Sequence, residues 1–394
     1  MDFDERCGSP VLKIESIQVA GLKGATPKGG WRTAEHIPED VVHTLLAIHT
    51  NEGVTGFGSI STSDDLVRAA VKVLEPHWLG ENALEPERVS EKLHRETFWL
   101  GRGGTLTHVI SGIDIALWDI LGKVTRQPVG RLLGGRYRER VQPYASLLMD
   151  EPPRMREEIL ELSRVGFRAF KIGWGPFGRT NANADEVIVA AAREAAGPDA
   201  LLMVDAGASD AAWSHGLKWA VRTAEMLSAY DVAWFEEPLP PDAIDDFVAL
   251  RQRSSVAIAG CEVLTRRQSF VPWLQRGAVD VVQPDVTKVG GLSEARRRGW
   301  LADTYGVRLI PHGWNTAVGF AADLQLASAL PGTDLVEYMS DTAYIDGIVS
   351  EPYQLDAEGM LRVPTGPGLG VELDPDALGR YADAAKLFKR DVVR

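Results

Sequence analysis

Cysteine is scarce in this chain, with two in 394 residues. Cys7 and Cys261 could form one bridge at most, so the framework of several disulfides that stabilises many small secreted proteins is excluded. We therefore expect a protein of the reducing cytoplasm.

Long apolar runs are also missing. No stretch approaches the roughly 18 consecutive apolar residues that would predict a transmembrane helix. The first ten residues, MDFDERCGSP, are acidic, where a secretory signal needs a basic start followed by an apolar run. We accordingly expect no membrane partner and a cytoplasmic location.

The chain has fewer basic residues than acidic residues. Lysine and arginine total 42 against 55 acidic residues, which gives a formal net charge of −13. Such a surface repels nucleic acid unless a local basic patch intervenes. The densest basic run, residues 296–298, is short and falls where a helix is expected, so a solvated helix face is the better interpretation. We expect no nucleic-acid partner.

The length suits a barrel of about 250 residues together with a second domain. Residues 11–20 alternate as a strand does, residues 41–49 and VTGFG read as a hairpin, and residues 106–123 have apolar residues at helical spacing. These features predict an α+β domain over residues 1–140.

After residue 140 short apolar runs alternate with amphipathic helices. The runs number eight, which is the strand count of a (β/α) barrel. The alternative is an open doubly wound sheet, but no G-x-G-x-x-G turn follows any of these strands. We predict an α/β barrel domain over residues 141–350 and a segment 351–394 that returns to the first domain. The eight predicted strands are 141–146, 169–174, 201–206, 233–238, 256–262, 279–285, 307–313 and 335–340.

Three carboxylates occupy matching positions on successive strands. Asp205 ends the third strand, Glu236 the fourth and Glu262 the fifth. The carboxyl ends of barrel strands meet at one face, where barrel enzymes keep their active sites. Clustered carboxylates need a cation, and an all-oxygen site suits Mg²⁺. The alternative for each one is a helix cap or a solvated loop acid.

The next strands add a histidine and two further acids. Strand six ends at Asp285 and strand seven at His312, and Glu337 lies on strand eight. An aspartate beside a histidine fixes the imidazole tautomer and stabilises its protonated form, which makes a competent general base. A lone structural histidine is the alternative.

These residues lie within motifs that resemble the enolase superfamily, mandelate racemase subgroup: SGIDIALWDILGK, VDAG, WFEEPL, GCE, VVQPDVTKVGG, PHGW and PTGPGLGVE. The resemblance implies a modified TIM barrel, (β/α)7β, with an α+β capping domain formed by the N-terminal part and the C-terminal tail. It also implies Asp205, Glu236 and Glu262 as Mg²⁺ ligands and His312 with Asp285 as the acid/base dyad. Glu337 would hydrogen-bond the enediolate, and the protein would form a homo-oligomer.

The sequence departs from the family pattern at two positions. Many members carry Lys-x-Lys on strand two, with the second lysine as a base, whereas this chain has Lys171-Ile172-Gly173. Lys171 matches the first lysine and would sit near the substrate oxygens, unless it is structural. Strand three carries Gly207 where some sugar-acid dehydratases have a histidine.

Three residues are candidate contacts to the substrate. Trp31 and His36 lie in a predicted capping loop and Trp174 follows Lys171, although each could simply pack. Glu237, beside Glu236, should face the other side of its strand.

The chemistry predicted from these residues is Mg²⁺-dependent removal of the proton next to a carboxylate. Loss of water from a sugar acid, an aldonate or aldarate, would then give a 2-keto-3-deoxy acid. The alternatives are a cycloisomerase of a sugar-acid lactone, a racemase or epimerase, which normally needs a base on each face, and a catalytically silent sugar-acid-binding protein.

Overall fold

The computed structural model describes residues 11–24, 26–27, 36–37, 41–209, 213–339 and 344–388. Its first part contains an antiparallel sheet with the strand order β1-β4-β5, and β2 pairs with β3. These strands are β1 (Ile14–Lys23), β2 (Thr26–Pro27), β3 (His36–Ile37), β4 (Val41–Thr50) and β5 (Thr55–Ile60).

Helices cover the sheet, and the longest of them is buried for most of its length. They are α1 (Asp64–Trp78), α2 (Pro86–Glu96), α3 (Thr105–Thr125) and α4 (Val129–Leu132). Two glycines let α3 approach β5, since a methyl group added at Gly58 would lie 2.0 Å from the Gly112 carbonyl oxygen. This close contact makes α3 the centre of the first domain.

The second part is a curled parallel sheet. Its order is β12-β11-β10-β9-β8-β7-β6-β13, with seven helices connecting the eight strands in the described chain. The strands are β6 (Arg140–Leu148), β7 (Ala169–Gly173), β8 (Leu201–Asp205), β9 (Trp234–Glu236), β10 (Ala257–Gly260), β11 (Val281–Val282), β12 (Arg308–Leu309) and β13 (Leu335–Met339). The helices are α5 (Pro152–Val165), α6 (Ala182–Ala196), α7 (Leu217–Ser228), α8 (Ile244–Arg251), α9 (Arg266–Gln275), α10 (Gly291–Thr304) and α11 (Ala317–Ala329).

One buried cluster fills the interior of this sheet and takes a residue from each strand or from the position next to it. Because all eight strands contribute to a single core, the sheet curls into a barrel. The predicted fold class, a (β/α)7β barrel with an α+β cap, is confirmed. The cluster consists of Tyr144, Ala169, Met203, Trp234, Ala259, Val281, Ile310 and Leu335.

Several barrel strands are shorter than the sequence predicts. The run 279–285 contains only the two-residue strand β11, and 233–238 contains only β9. Pro284 cannot donate a ladder hydrogen bond, and Glu237 turns out of the strand with φ of +41°. The apolar runs therefore continue past the strands into the loops that carry the site.

The C-terminal segment packs against the first domain. Strand β14 (Leu361–Arg362) pairs with β6, and helices α12 (Pro375–Leu378) and α13 (Ala384–Phe388) follow. The Lys23 amide donates to the Tyr381 carbonyl at 3.0 Å, and the rings of Phe57 and Phe388 lie 5.9 Å apart. The domain boundaries at residues 140 and 350 stay predictions.

Every helix in the described ranges is too short or too polar to span a lipid bilayer.

Candidate active site

Lys171 lies at the centre of the carboxyl end of the barrel. It belongs to β7, and its Nζ lies 2.5 Å from Glu236 Oε1 and 2.8 Å from Glu337 Oε1. Asp205 Oδ2 is 3.5 Å from the same nitrogen. Burial favours the neutral amine, but these carboxylates outweigh it and raise the pKa of Lys171 well above its usual value. The ammonium group therefore balances part of the negative charge.

The three predicted metal ligands lie at or just beyond the ends of β8, β9 and β10. Asp205, Glu236 and Glu262 have exposed fractions of 3%, 0% and 9%. Burial, together with the negative charges of Glu236 and Glu262, raises the pKa of Asp205 well above its usual value. The set offers only oxygen donors and carries more negative charge than one ammonium balances.

This donor set matches a hard divalent cation in chemistry. In the described part of the chain, however, no three His, Cys, Asp or Glu side chains are arranged closely enough to surround an ion. Lys171 instead contacts Asp205 and Glu236, and His312 Nε2 lies 3.1 Å from Glu262 Oε2. The residues fit Mg²⁺ by donor type, burial and charge.

The two residues of the predicted dyad, His312 and Asp285, are in contact. His312 Nδ1 lies 2.9 Å from Asp285 Oδ2, and a backbone bridge joins these two residues. The other Asp285 oxygen accepts from the Thr287 amide at 2.7 Å and from its hydroxyl at 2.6 Å. Asp285 is thereby held so that His312 donates to it through Nδ1, while Nε2 lies beside the Glu262 carboxylate. His312 and Glu262 both line one cavity.

Charge sets the protonation of this pair. Burial opposes ionisation of Asp285, but the nearby Lys288 ammonium and His312 lower the pKa of Asp285 well below its usual range. Burial lowers the pKa of His312, yet Glu262, Asp285 and other acids outweigh it, so that the pKa is raised overall. The imidazole can therefore take up and hold a proton.

Glu337 faces the same cavity. Its Oε2 accepts from the Gly313 amide at 2.9 Å, while Oε1 contacts Lys171. Burial raises its pKa, but the positive charges of Lys171 and His312 outweigh burial and lower it to about 2. Glu337 is thus an ionised acceptor held on both oxygens.

A cavity of about 180 Å³ lies over these groups. Its polar lining consists of Ser146, Lys171, Asp205, Glu262, Lys288, His312 and Glu337. Its remaining walls are mostly apolar. These walls include Leu147, Leu148, Trp174, Trp314 and Met339. Trp174, a predicted substrate contact, therefore lines the same cavity as His312.

Two predicted substrate contacts cannot be placed. Trp31 lies outside the described residues, and for His36 only the backbone of β3 is described. Both stay predictions.

A larger cavity, of about 770 Å³, lies between α6 and α7. Its acids are already engaged, since Asp185 accepts from the Gly178 amide at 2.8 Å and Glu186 from the Tyr230 hydroxyl at 3.0 Å. Neither the dyad nor Lys171 lines it. Of these two cavities, the smaller one is therefore the one that His312 and Lys171 line.

Glu237 is buried next to the site but does not line its cavity. Its buried carboxyl has a pKa raised well above normal by burial and by the negative charges of Glu262 and Asp205. Its Oε2 has no hydrogen-bond partner among the described residues. The positive φ of the backbone, which the sequence did not signal, accounts for this position.

His43 is a further residue that the sequence analysis missed. It lies on β4 of the capping domain, with Nε2 2.7 Å from the Trp314 carbonyl and Nδ1 2.6 Å from the Tyr344 hydroxyl. Burial lowers the pKa of His43 to about 4, so the ring is neutral near pH 7. His43 thus ties the capping domain to the loop that follows His312. Only the long-range contact identifies it, because the sequence VVHTLLAIH reads as an ordinary strand.

Two family models match this chain. Residues 17–134 match the mandelate racemase / muconate lactonizing enzyme N-terminal domain, and residues 154–377 match the enolase C-terminal domain-like family.

Individual relatives extend the match over most of the chain. A D-galactarolactone cycloisomerase of Agrobacterium fabrum is 33% identical, with 86% of this chain and 91% of the relative covered. A D-xylonate dehydratase of Haloferax volcanii is 31% identical, with coverage of 93% and 92%. The crystal structure of a 3,6-anhydro-D-galactonate cycloisomerase from Zobellia galactanivorans superposes with a TM-score of 0.83 at 31% identity, covering 94% of this chain and 99% of that one.

Proposed function

We propose that this chain is an acid-sugar dehydratase, since it belongs to the mandelate racemase / muconate lactonizing enzyme family of the enolase superfamily. It would remove the proton next to the carboxylate of an aldonate or aldarate and expel water. One observation carries the proposal: His312, oriented by Asp285, faces the same cavity as Lys171 and Glu337.

Proton transfer is the role of the dyad. His312 Nε2 takes the proton from C2 of the substrate, and the electron pair of that C–H bond moves into the carboxylate to give an enediolate. Asp285 stabilises the imidazolium through Nδ1. Lys171 lines the same cavity, and its ammonium group would oppose the negative charge that develops on the enediolate oxygens. Glu337, which is ionised, would accept a hydrogen bond from a substrate hydroxyl.

Asp205, Glu236 and Glu262 are the residues that would hold Mg²⁺. When bound, this ion would supply charge stabilisation for the enediolate and fix the orientation of the substrate carboxylate. The all-oxygen donor set and its excess negative charge support this assignment.

Elimination completes the reaction. The bond between C3 and its hydroxyl oxygen breaks, the electron pair on C2 forms the C2–C3 double bond, and the proton on His312 leaves with the hydroxyl as water. The enol then tautomerises to the 2-keto-3-deoxy acid. One imidazole thus serves both steps.

A cycloisomerase is the second candidate, and the lining of the cavity favours it. The described walls beyond the charged end include two indoles, two leucines and a methionine, which suit the C–H face of a ring better than an open chain of hydroxyls. In this reaction a ring oxygen leaves in place of a hydroxyl, and no water is lost.

A screen of aldonic, aldaric and lactone substrates for 2-keto acid formation tests both candidates. Mass measurement of the product separates them, because dehydration removes 18 Da and cycloisomerisation leaves the mass unchanged. If no member of a broad library gave a 2-keto acid or exchanged its C2 proton, the proposed function would be wrong.

We also propose a cytoplasmic homo-oligomer, on the family resemblance alone. Light scattering should give a mass that is a multiple of 43.0 kDa at working concentrations. A single monomer-sized species would refute this assignment.

A further inference from the structure

Two glycines, Gly173 and Gly207, lie beside Asp205 at the carboxyl end of the barrel. At Gly173 an added methyl group would lie 2.8 Å from Asp205 Cβ, closer than real side-chain carbons approach one another. Gly207 has φ of +62°, which favours glycine, and its amide donates to Asp205 Oδ1 at 2.8 Å. Neither position has room for a base.

Trp174 follows Gly173 in the chain and lies against Gly207. Its backbone has φ of +61°, an uncommon conformation for a non-glycine residue. Its amide donates to the Asp205 carbonyl at 3.1 Å, and the preceding carbonyl, of Gly173, accepts from the Met149 amide at 2.7 Å. The surrounding strands therefore fix this strained conformation, which is a feature of functional positions.

The indole of Trp174 packs directly on Gly207. A methyl group added at Gly207 would lie 2.6 Å from indole Cδ2 and 2.7 Å from Cε2. The ring is half-buried and lines the same cavity as His312. Gly207 thus makes the room that the indole occupies.

The strand order places Gly207, with the indole packed on it, opposite His312. Gly207 follows β8 and His312 follows β12, and these strands are four apart in an eight-stranded barrel. The two residues therefore lie on opposite sides of the barrel mouth.

We propose that Trp174 is a specificity-determining residue whose indole closes the substrate cavity on the side across from His312 and takes the place of a second proton-transfer group. The inference rests on the proposed function. A substrate held between the indole and His312 reacts only when its C2 proton points towards His312. The C2 epimer would need to turn over in the cavity, and the indole prevents that. Gly207 is the positioning residue for this wall.

The test compares pairs of aldonates that differ only at C2, such as D-gluconate with D-mannonate and D-xylonate with D-lyxonate. For each pair the ratio of kcat/KM is measured with the parent and with Trp174→Ala, Trp174→Phe and Gly207→Ala. We expect Trp174→Ala to lower the ratio at least tenfold, Gly207→Ala to lower it in the same direction, and Trp174→Phe to keep most of it.

Gly306→Ala is the matched control. Gly306 has φ of +67°, close to that of Gly207, but a methyl group added there meets no atom within 4 Å. The two variants share the backbone strain. They differ in the contact with the indole and in the hydrogen bond to Asp205 Oδ1, which the Gly207 amide makes and the Gly306 amide does not. We expect Gly306→Ala to leave the epimer ratio unchanged.

Calorimetric binding of the same epimer pairs separates this inference from the proposed function. If the parent binds one epimer but turns over neither, the proposed function is wrong. The inference about the indole is then tested by binding alone, and it requires that Trp174→Ala lose the difference in affinity between the epimers. An epimer ratio within twofold of the parent in Trp174→Ala, in turnover or in binding, would overturn the inference. A parent that binds no acid sugar would overturn both.

Discussion

The two ends of the barrel both carry charged side chains, but in opposite surroundings. At the amino end Arg308 pairs with Asp334, and their side chains are 45% and 62% exposed. At the carboxyl end Lys171, Glu236 and Glu337 form their ion pairs with exposed fractions of 4% or less.

The two sets of charges differ in the free energy that is lost when the ions are removed from water. This loss is small for the exposed pair at the amino end and large for the buried ions at the carboxyl end. Exposed ion pairs are solvated and contribute roughly 0–1 kcal/mol to stability. Buried ions lose their hydration, and the attraction between them often only balances that loss. A barrel held together for stability alone would not need the buried set, so its presence at one end indicates chemistry there.

Removal of His312 should have the largest effect. His312→Asn keeps a polar side chain near Asp285 but has no basic nitrogen, so exchange of the C2 proton with deuterated solvent and turnover should both fall by about 10²–10⁴-fold. Proton NMR measures the exchange. If exchange persisted near the parent rate while turnover fell, another base would exist, and His36 would be the first to examine.

Glu236→Gln should come next. Glu236 Oε2 accepts from the Trp234 indole at 2.9 Å and from the Gln283 amide at 2.7 Å, so an amide there must leave a donor unmatched. We expect destabilisation of about 1–3 kcal/mol. We also expect loss of the rise in melting temperature that Mg²⁺ should give the parent. Glu351→Gln, at an exposed acid, is the control, and parent activity that survives chelation would contradict the metal assignment.

The contact between the capping domain and the loop that follows His312 should be sensitive to acid. The pKa of His43 is about 4 in the folded protein against 6.5 as its ordinary value. The unfolded chain therefore binds the extra proton between these values, and stability that is fully present above pH 6.5 is lost as the pH falls towards 4. Denaturation midpoints across pH 4–7 should fall less steeply in His43→Gln than in the parent. An equal slope in the two proteins would exclude His43 as a contributor.

The smallest effect is expected at the amino end. Arg308→Ala removes an exposed ion pair, so stability should change by less than about 1 kcal/mol and kcat/KM should stay at the parent value. Urea denaturation and steady-state kinetics check the two quantities. A large loss of activity would show that the amino end also contributes to the chemistry, and the distinction between the two ends would be wrong.

Much of this arrangement follows from the sequence because strand ends in a barrel converge. Asp205, Glu236, Asp285 and His312 could be assigned to one face from their positions after apolar runs alone. The family motifs supplied the expected roles of these residues, which remain predictions.

The remainder depends on backbone turns and long-range contacts that periodicity does not encode. The positive φ of Glu237 and of Trp174 redirects both residues, and nothing in their types signals it. The contact of His43 with Tyr344 joins positions 301 residues apart. Such features arise from packing between elements, so they appear only in the folded chain.

In the reaction that we propose, His312 removes a C2 proton and a divalent cation is required. The most direct measurement uses a substrate deuterated at C2, found by the acid-sugar screen, with Mg²⁺ added or chelated. We expect a slower reaction than with the protiated substrate, loss of the deuterium to solvent, and no reaction in chelator. Product formation at the full rate in chelator, or a C2 deuterium retained at that carbon, would contradict it.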